Sequence, residues 1–156
     1  MPIHHRIEEL GFTLPTAPEP VANYVSAIIV GNELRTSGQI PVVDGELLFK
    51  GSVPSNQSIE NATQAAKICG LNAIAVAKKT LHGKLDLIER VLQLRVFVAS
   101  DAGFKEHSLI ANGVSDLMVD IFGDYGKHVR VAIGSVGLPL GATTEVEVIF
   151  QIKSTV

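Results

Sequence analysis

Residues 128–153 read HVRVAIGSVGLPLGATTEVEVIFQIK, and this stretch decides the interpretation of the fold. Apolar residues alternate with other residues over positions 129–134 and again over 144–150, and that period of two is typical of β-strands. The connection GLPLGA at 137–142 contains the proline and glycines expected of a turn. The pattern therefore predicts two strands joined as an antiparallel hairpin.

The predicted hairpin carries a single arginine, Arg130. A turn centred near Pro139 places Arg130 and Glu147 on neighbouring strands at about the same height, although a slip of one residue would turn one of them to the other face. The small residues Ala132 and Gly134 leave room beside the guanidinium for a small anionic molecule. Two interpretations stay open at this point: a binding site for a small anion, and a cross-strand ion pair that stabilises the sheet by up to ~1 kcal/mol.

The composition indicates a globular domain with an aliphatic core. The 156 residues suit a single domain spanning 1–156, in which 1–22 form a short helix and a proline-rich extension. Hydrophobic residues make up 46% and charged residues 19% of the chain, and tryptophan is absent, so aliphatic residues must build the core. Such a chain has little polar surface for a monomer, which favours a homo-oligomer.

Charge and hydropathy argue against several classes of partner. The net charge of −3, without a cluster of lysine and arginine, argues against nucleic-acid binding. No apolar run approaches the ~20 residues of a membrane span, and residues 1–20 do not resemble a signal peptide. A cytoplasmic location without membrane contact is therefore expected. The single cysteine, Cys69, rules out a multi-cysteine metal site, and adjacent His4 and His5 do not face the same way on a helix, so no metal site is predicted.

Hydrophobic periodicity across the rest of the chain predicts an α+β fold. Strands are predicted at 23–30, 33–39, 47–49 and 91–98, and helices at 4–11, 55–79 and 104–122. Strands in hairpins, with two long helices set apart from them, indicate a mixed sheet covered on one face by both helices. The opposite face of that sheet would be free to meet another subunit.

Two small residues inside the predicted long helices need an explanation. Cys69 lies in an alanine stripe, which indicates a core residue and not a nucleophile. Gly113, in the second long helix, costs ~1 kcal/mol relative to alanine. Either tight packing or access for a ligand would favour glycine there, and both explanations stay open.

Several separated motifs resemble one known family. They are Tyr24, TSGQIP at 36–41, NATQ at 61–64, Phe97-Val98, Arg130, Leu138-Pro139 and Val146-Glu147. Over residues 23–153 the chain resembles the Rid family, also called the YjgF family, whose best-studied members are deaminases of enamines and imines. The resemblance implies a chorismate-mutase-like α+β fold. It also implies a homotrimer in which the sheets line a central barrel, with clefts between the subunits.

The same resemblance implies roles for individual residues. Arg130 would bind the carboxylate of the substrate, and Glu147 would position the attacking water. The remaining residues of the cleft would be Tyr24, Ser37, Gly38 and Asn112. Ala132 stands where the well-studied deaminases commonly have a cysteine.

Two functions follow from the resemblance. The first is hydrolysis of a 2-aminoacrylate-like enamine, or its imine tautomer, to a 2-keto acid and ammonia without a metal or organic cofactor. The second is a non-catalytic sensor or regulator that binds small carboxylates in the same cleft, and the absence of a cysteine at Ala132 favours it. Both functions depend on Arg130 as the anchor for a carboxylate.

Overall fold

The computed structural model describes residues 1–154, in which three α-helices and seven β-strands form. In chain order they are α1 (Ile3–Glu9), β1 (Ala27–Val30), β2 (Glu33–Thr36), β3 (Val42–Val43), β4 (Glu46–Leu47), α2 (Ile59–Thr80), β5 (Ile88–Ala99), α3 (His107–Phe122), β6 (Val129–Ser135) and β7 (Thr144–Ile152). The predicted order is confirmed except before α2, where the structure has four strands and three were predicted; the additional strand is β3. Both β1 and β2 are shorter than predicted, since β1 begins at Ala27 and β2 ends at Thr36.

Five of the strands form one mixed sheet, in the order β1-β2-β7-β5-β6. β6 runs parallel to β5, and the other neighbouring pairs are antiparallel. Helices α2 and α3 pack together and cover one face of this sheet. The predicted α+β architecture, a mixed sheet with two long helices on one face, is therefore confirmed. Along residues 1–154 the sheet stays open, with β1 and β6 as its edges.

The hairpin predicted for residues 128–153 is wrong. Both strands are present, but β5 lies between β6 and β7 and pairs with each of them. β5 has 12 residues, and Val91, Leu94 and Val96 on it are fully buried. A strand that is so apolar is most stable with hydrogen-bonded neighbours on both sides, whereas alternation in a short segment does not specify the partner strand.

The core lies between the helix pair and the sheet. The alanine stripe of α2 packs there with one face of α3, and the contributing residues include Ala62, Ala66, Cys69, Ala73, Ala77, Ile110, Val114, Leu117, Val146, Val148 and Phe150. The helix α2 begins where the Ser58 hydroxyl accepts a hydrogen bond from the Asn61 backbone N–H at 3.0 Å. Cys69 is fully buried beside Thr144, and burial raises the pKa of its thiol to about 12. The interpretation of Cys69 as an unreactive core residue therefore holds.

Gly113 is explained by packing. A Cβ atom built on Gly113 would overlap the backbone carbonyl of Thr63 on α2. The two long helices therefore approach each other so closely at this point that alanine does not fit. Of the two explanations left open by the sequence, the structure supports close helix packing.

The opposite face of the sheet has no helix on it and carries exposed apolar side chains. On β6 these are Val129, Val131 and Ile133, and on β1 they are Ile28 and Val30. Clustered apolar surface of this kind is typical of a contact face. Among the helices of residues 1–154, none combines the length and the apolar character that crossing a bilayer requires.

Candidate functional site

The residues predicted for the site form two separate groups within one chain. Tyr24, Ser37 and Gly38 lie together beside the end of β2, whereas Asn112 and Arg130 meet at β6. From β2 to β6 there are three strand spacings, which is ~14 Å across the sheet. A small carboxylate cannot bridge that distance, so one chain does not bring the two groups together around one ligand. Each group is called a half-site below.

The first half-site is built around Arg130. Its Nη1 donates hydrogen bonds to Asn112 Oδ1 at 2.9 Å and to Ser115 Oγ at 3.1 Å. Asn112 and Ser115 are three residues apart on α3 and therefore share one face of that helix. Two hydrogen bonds from one nitrogen fix the plane of the guanidinium at the sheet edge.

His128 extends this network on its other side. Its Nδ1 lies 2.6 Å from the carbonyl oxygen of Gly126, and its Nε2 lies 2.9 Å from Ser115 Oγ. Because a carbonyl can only accept, the proton of the neutral ring is on Nδ1, and Nε2 accepts from the Ser115 hydroxyl. Burial lowers the pKa of His128, and the positive charge of Arg130 lowers it further. The neutral imidazole thus orients the hydroxyl that holds Arg130.

Ser115 and His128 were not predicted from the sequence as site residues. The sequence spacing was a signal for both, since His128 lies two residues before Arg130, just ahead of β6, and Ser115 lies three residues after Asn112 on one helix. That signal is weak because serine and histidine are common at partly buried positions.

The floor beside Arg130 is formed by small residues, as the sequence suggested. Ala132 is half-buried and packs against the core on the α3 side of β6. Gly134, two residues further on, lies below Ser100 and His107, whose Oγ and Nε2 are 3.1 Å apart. A cysteine is absent from this stretch, and Ala132 offers no group for chemistry.

Glu147 lies far from Arg130. It pairs in register with Arg95 of β5, and the Arg95 guanidinium donates to its carboxylate at 3.1 Å. Arg95 is also in register with Val131, so Glu147 and Val131 share the face without helices, while Arg130 points to the opposite face. The predicted placement of Arg130 and Glu147 on neighbouring strands is therefore wrong, and so is an ion pair between them.

The second half-site is a cavity of about 550 Å³. It is lined by Thr16, Ala17, Pro18, Glu19, Pro20, Val21, Tyr24, Ser26, Ser37, Gly38, Gln39, Ile40, Val42, Asp44, Gly45 and Leu140. Tyr24 precedes β1, outside the strand predicted for it, and half of its surface is exposed. Ser37 Oγ accepts a hydrogen bond from Gln39 Nε2 at 3.2 Å, which leaves the Ser37 hydroxyl hydrogen free to donate to a ligand.

The Glu145 carboxylate lies against Gly38, one of the residues that line this cavity, and it was not predicted from the sequence as a site residue. A Cβ atom on Gly38 would overlap the Glu145 carboxylate, so Gly38 is the residue that admits this side chain. Burial raises the pKa of Glu145, and the neighbouring charge of Glu147 raises it further. A half-buried carboxylate with a raised pKa, beside a cavity, is a candidate for proton transfer. Because Glu145 and Glu147 are two residues apart on β7, they lie on the same face of the sheet, and the sequence pattern alone does not show which of them is next to the cavity.

Within residues 1–154 there is no group of three or more histidine, cysteine or acidic side chains that could hold a metal ion. The polar groups of the two half-sites are a guanidinium, an amide, hydroxyls and a carboxylate. These groups can bind a carboxylate and exchange protons with water.

The fold and these residues define a member of a known family. The family model described as "YjgF/chorismate_mutase-like, putative endoribonuclease" matches residues 4–151, and the chain belongs to this family. The family assignment made from the sequence is therefore confirmed.

Individual relatives cover nearly the whole chain. A solved structure of a protein of unknown function from Agrobacterium tumefaciens is 41% identical, with a TM-score of 0.91 over 97% of this chain and 92% of that one. A putative endoribonuclease from Shewanella oneidensis is 30% identical, with a TM-score of 0.93 over 97% of this chain and 100% of that one. Protein TCP17 of Trypanosoma cruzi is 37% identical over 149 residues, which are 95% of this chain and 92% of TCP17.

Proposed function

We propose that the protein is an enamine and imine deaminase that works as a homotrimer, with each site shared by two copies of the chain. Arg130 and Asn112 would come from one copy, and Tyr24, Ser37, Gly38 and Glu145 from its neighbour. One observation carries this proposal: the cation and the proton-transfer carboxylate lie on opposite faces of one sheet, and the two half-sites lie three strands apart. The Arg130 half-site supplies a guanidinium to bind the substrate carboxylate, and the cavity half-site supplies the Glu145 carboxylate to transfer protons.

In this mechanism Arg130 holds the substrate carboxylate. A guanidinium and a carboxylate form paired, charge-assisted hydrogen bonds with a fixed geometry. Asn112 and Ser115 already fix the guanidinium through Nη1, so little side-chain entropy is lost when the ligand binds. Tyr24 and Ser37 donate hydrogen bonds from the neighbouring copy.

Glu145 then carries the protons of the reaction. It takes a proton from water as the water oxygen bonds to the C=N carbon, and the imine nitrogen is protonated. The tetrahedral adduct loses its C–N bond, so that one imine and one water give one 2-keto acid and one ammonia. A raised pKa makes Glu145 a stronger base than a free glutamate, and the reaction as written needs no metal or organic cofactor.

Glu147, to which the sequence analysis gave the role of positioning water, has a supporting role in this proposal. Its carboxylate is held by Arg95, and its charge raises the pKa of Glu145 from two residues away on the same strand. Glu145 is preferred as the proton carrier because its carboxylate lies against Gly38, a residue that lines the cavity.

The test is turnover of a freshly generated imine by the purified protein, followed through release of 2-keto acid or ammonia. Release should exceed the spontaneous rate, and Arg130→Ala should lower kcat/KM by ~100-fold or more, as expected for loss of a charged anchor. Arg6→Ala is the matched control, because Arg6 lies on α1, away from both half-sites. Release no faster than the spontaneous rate, or an unaffected Arg130→Ala variant, would contradict the proposal.

A second candidate is the non-catalytic sensor, and Ala132 is the observation that favours it. Calorimetric titration with 2-ketobutyrate separates the two functions. Binding that depends on Arg130, without imine turnover, would support the sensor. Both functions use the same anchor, so the activity assay decides between them.

Cleavage of RNA, which the family description and the Shewanella protein suggest, is not the function we propose. The net charge is −3, and Arg35, Lys79, Arg95 and Lys127 each pair with a carboxylate of the same chain. An RNA backbone is attracted chiefly by uncompensated positive charge.

A further inference from the structure

The cavity beside Ser37 and Gly38 is much larger than a 2-aminoacrylate-like substrate requires. Such a molecule has about six non-hydrogen atoms and fills roughly 180 Å³, if each atom is given the ~30 Å³ that one water molecule occupies. The cavity measures about 550 Å³, which falls in the range of pockets that enclose larger ligands.

The additional volume is bounded mainly by apolar side chains. On one side they belong to residues 16–21, named here the connector, and include Pro18, Pro20 and Val21. On the other side they include Ile40 and Leu140. Val21 is 97% exposed and Leu140 is 78% exposed, so a bound apolar group would remove both from water.

Both walls are fixed to the same helix, α2. On the connector side, Glu19 forms an ion pair with Lys79, and the Lys67 ammonium lies 5.6 Å from the centre of the Phe12 ring, just before the connector. On the other side, buried Asn72 donates to the carbonyl oxygens of Ile40 at 3.0 Å and Val42 at 2.8 Å. The prolines further restrict the connector backbone. The cavity is therefore largely formed before a ligand arrives.

The charges around the cavity restrict the chemistry of its occupant. The acidic side chains that line it are Glu19 and Asp44, and the lysines and arginines of residues 1–154 are absent from its lining. An acidic substituent would lie near the carboxylate of Asp44 with no lysine or arginine in the lining to compensate it, because Lys79 is already paired with Glu19. An aliphatic or aromatic substituent would instead meet proline, valine, isoleucine and leucine.

We propose that the substrates are 2-imino acids with a bulky apolar side chain, branched aliphatic or aromatic, and that the connector is the wall that selects them. This inference rests on the proposed deaminase function. The substrate carboxylate lies at Arg130 of one copy, the imine carbon lies near Glu145 of the other, and the side chain lies along the connector of that second copy.

The experiment compares imines generated in situ by an amino-acid oxidase from leucine, phenylalanine, alanine and glutamate. We expect kcat/KM for the leucine and phenylalanine imines to exceed that for the alanine imine by ~10-fold or more, because several additional methylene groups are buried. The glutamate imine should react more slowly than the leucine imine. Equal values for the leucine and alanine imines would overturn the proposal.

The connector is tested by Val21→Asp, which places a charge in the wall at a position too exposed to be needed for folding. This variant should lower the ratio of kcat/KM for the leucine imine to kcat/KM for the alanine imine by ~10-fold or more. Ala22→Asp is the matched control, since Ala22 is exposed, adjacent, and outside the cavity lining. An equal loss on both imines in Val21→Asp, or the same loss in Ala22→Asp, would overturn the role of the connector.

A protein that is not a deaminase would give a result different from one that is a deaminase without selection for bulky side chains. If no imine is turned over, titration with 4-methyl-2-oxopentanoate and with pyruvate still tests the wall. Binding of the larger keto acid that is ~10-fold tighter, and weakened by Val21→Asp, would support the selection for bulky apolar groups while the deaminase reaction is rejected. Equal affinity for both acids would overturn the selection.

Discussion

At the scale of single residues, the neutral state of His128 is the most testable feature of the Arg130 half-site. Its Nε2 can accept from Ser115 only while it has no proton, so protonation reverses that hydrogen bond and places a second positive charge near Arg130. Burial and the charge of Arg130 lower the pKa of His128 below its ordinary value of 6.5.

The sign of the resulting pH dependence follows from linkage. Because the pKa of His128 is lower in the folded chain than its ordinary value of 6.5, the unfolded chain binds more protons than the folded chain as the pH falls through 6.5. The free energy of unfolding should therefore fall as the pH is lowered from 7.5 to 5.5, and by less in His128→Gln than in the wild type. Urea unfolding at both pH values measures this difference. His82→Gln, at an exposed site, should behave as the wild type, and an identical pH response in His128→Gln would contradict the prediction.

A second prediction at this scale concerns the two carboxylates of β7. Burial and the charge of Glu147 raise the pKa of Glu145, so Glu147→Gln should lower that pKa. If Glu145 acts as a base, activity falls as the pH drops through its pKa, and the acidic limb of the kcat/KM profile should move to lower pH in Glu147→Gln. Glu89→Gln is the control, since Glu89 is an exposed carboxylate on β5. An acidic limb that disappears altogether in Glu147→Gln would instead make Glu147 the base.

At the scale of secondary structure, the contact between α2 and α3 depends on Gly113. Alanine is favoured over glycine in a helix by ~1 kcal/mol, but here its Cβ would overlap the Thr63 carbonyl, which cannot rotate away. We expect Gly113→Ala to lower the free energy of unfolding by about 1–3 kcal/mol, as overpacking does. Ser108→Ala, at an exposed position of the same helix, should change it little. Urea unfolding of both variants measures this, and a stabilised Gly113→Ala would show that the helices can separate there.

The same elements show what could and could not be predicted from the sequence. Helices α2 and α3 and strands β5, β6 and β7 followed from periodicity, because each buries one repeated set of side chains. The position of β5 between β6 and β7 did not follow, because alternation gives the face of a side chain and not the partner of a strand. Arg130 was found from its small neighbours and the family motifs. Glu145, His128 and Ser115 were missed, because their importance comes from contacts with Gly38, Gly126 and Arg130 that only the folded chain creates.

At the scale of the whole molecule, the two half-sites and the exposed apolar face of the sheet lead to one expectation. A second copy placed with its β6 edge towards the connector of the first would complete the site and cover apolar side chains such as Val131 and Ile133. Light scattering on the purified protein should then give three times the mass of one chain.

Mixed oligomers test whether the site is shared between copies. Arg130→Ala and Glu145→Gln should each abolish most imine turnover alone, since each removes one half of every site. In a trimer co-expressed from equal amounts of both variants, about one quarter of the shared sites pair an intact Arg130 with an intact Glu145, so about one quarter of wild-type activity should return. Wild type co-expressed with the double variant should also keep about one quarter if sites are shared, but about one half if both residues act within one chain. Activity no higher than that of the separate variants, together with one half in the control mixture, would place the complete site in a single chain. That result would require Arg130 and Glu145 to approach each other from opposite faces of the sheet, which the pairing of β5 with both β6 and β7 prevents.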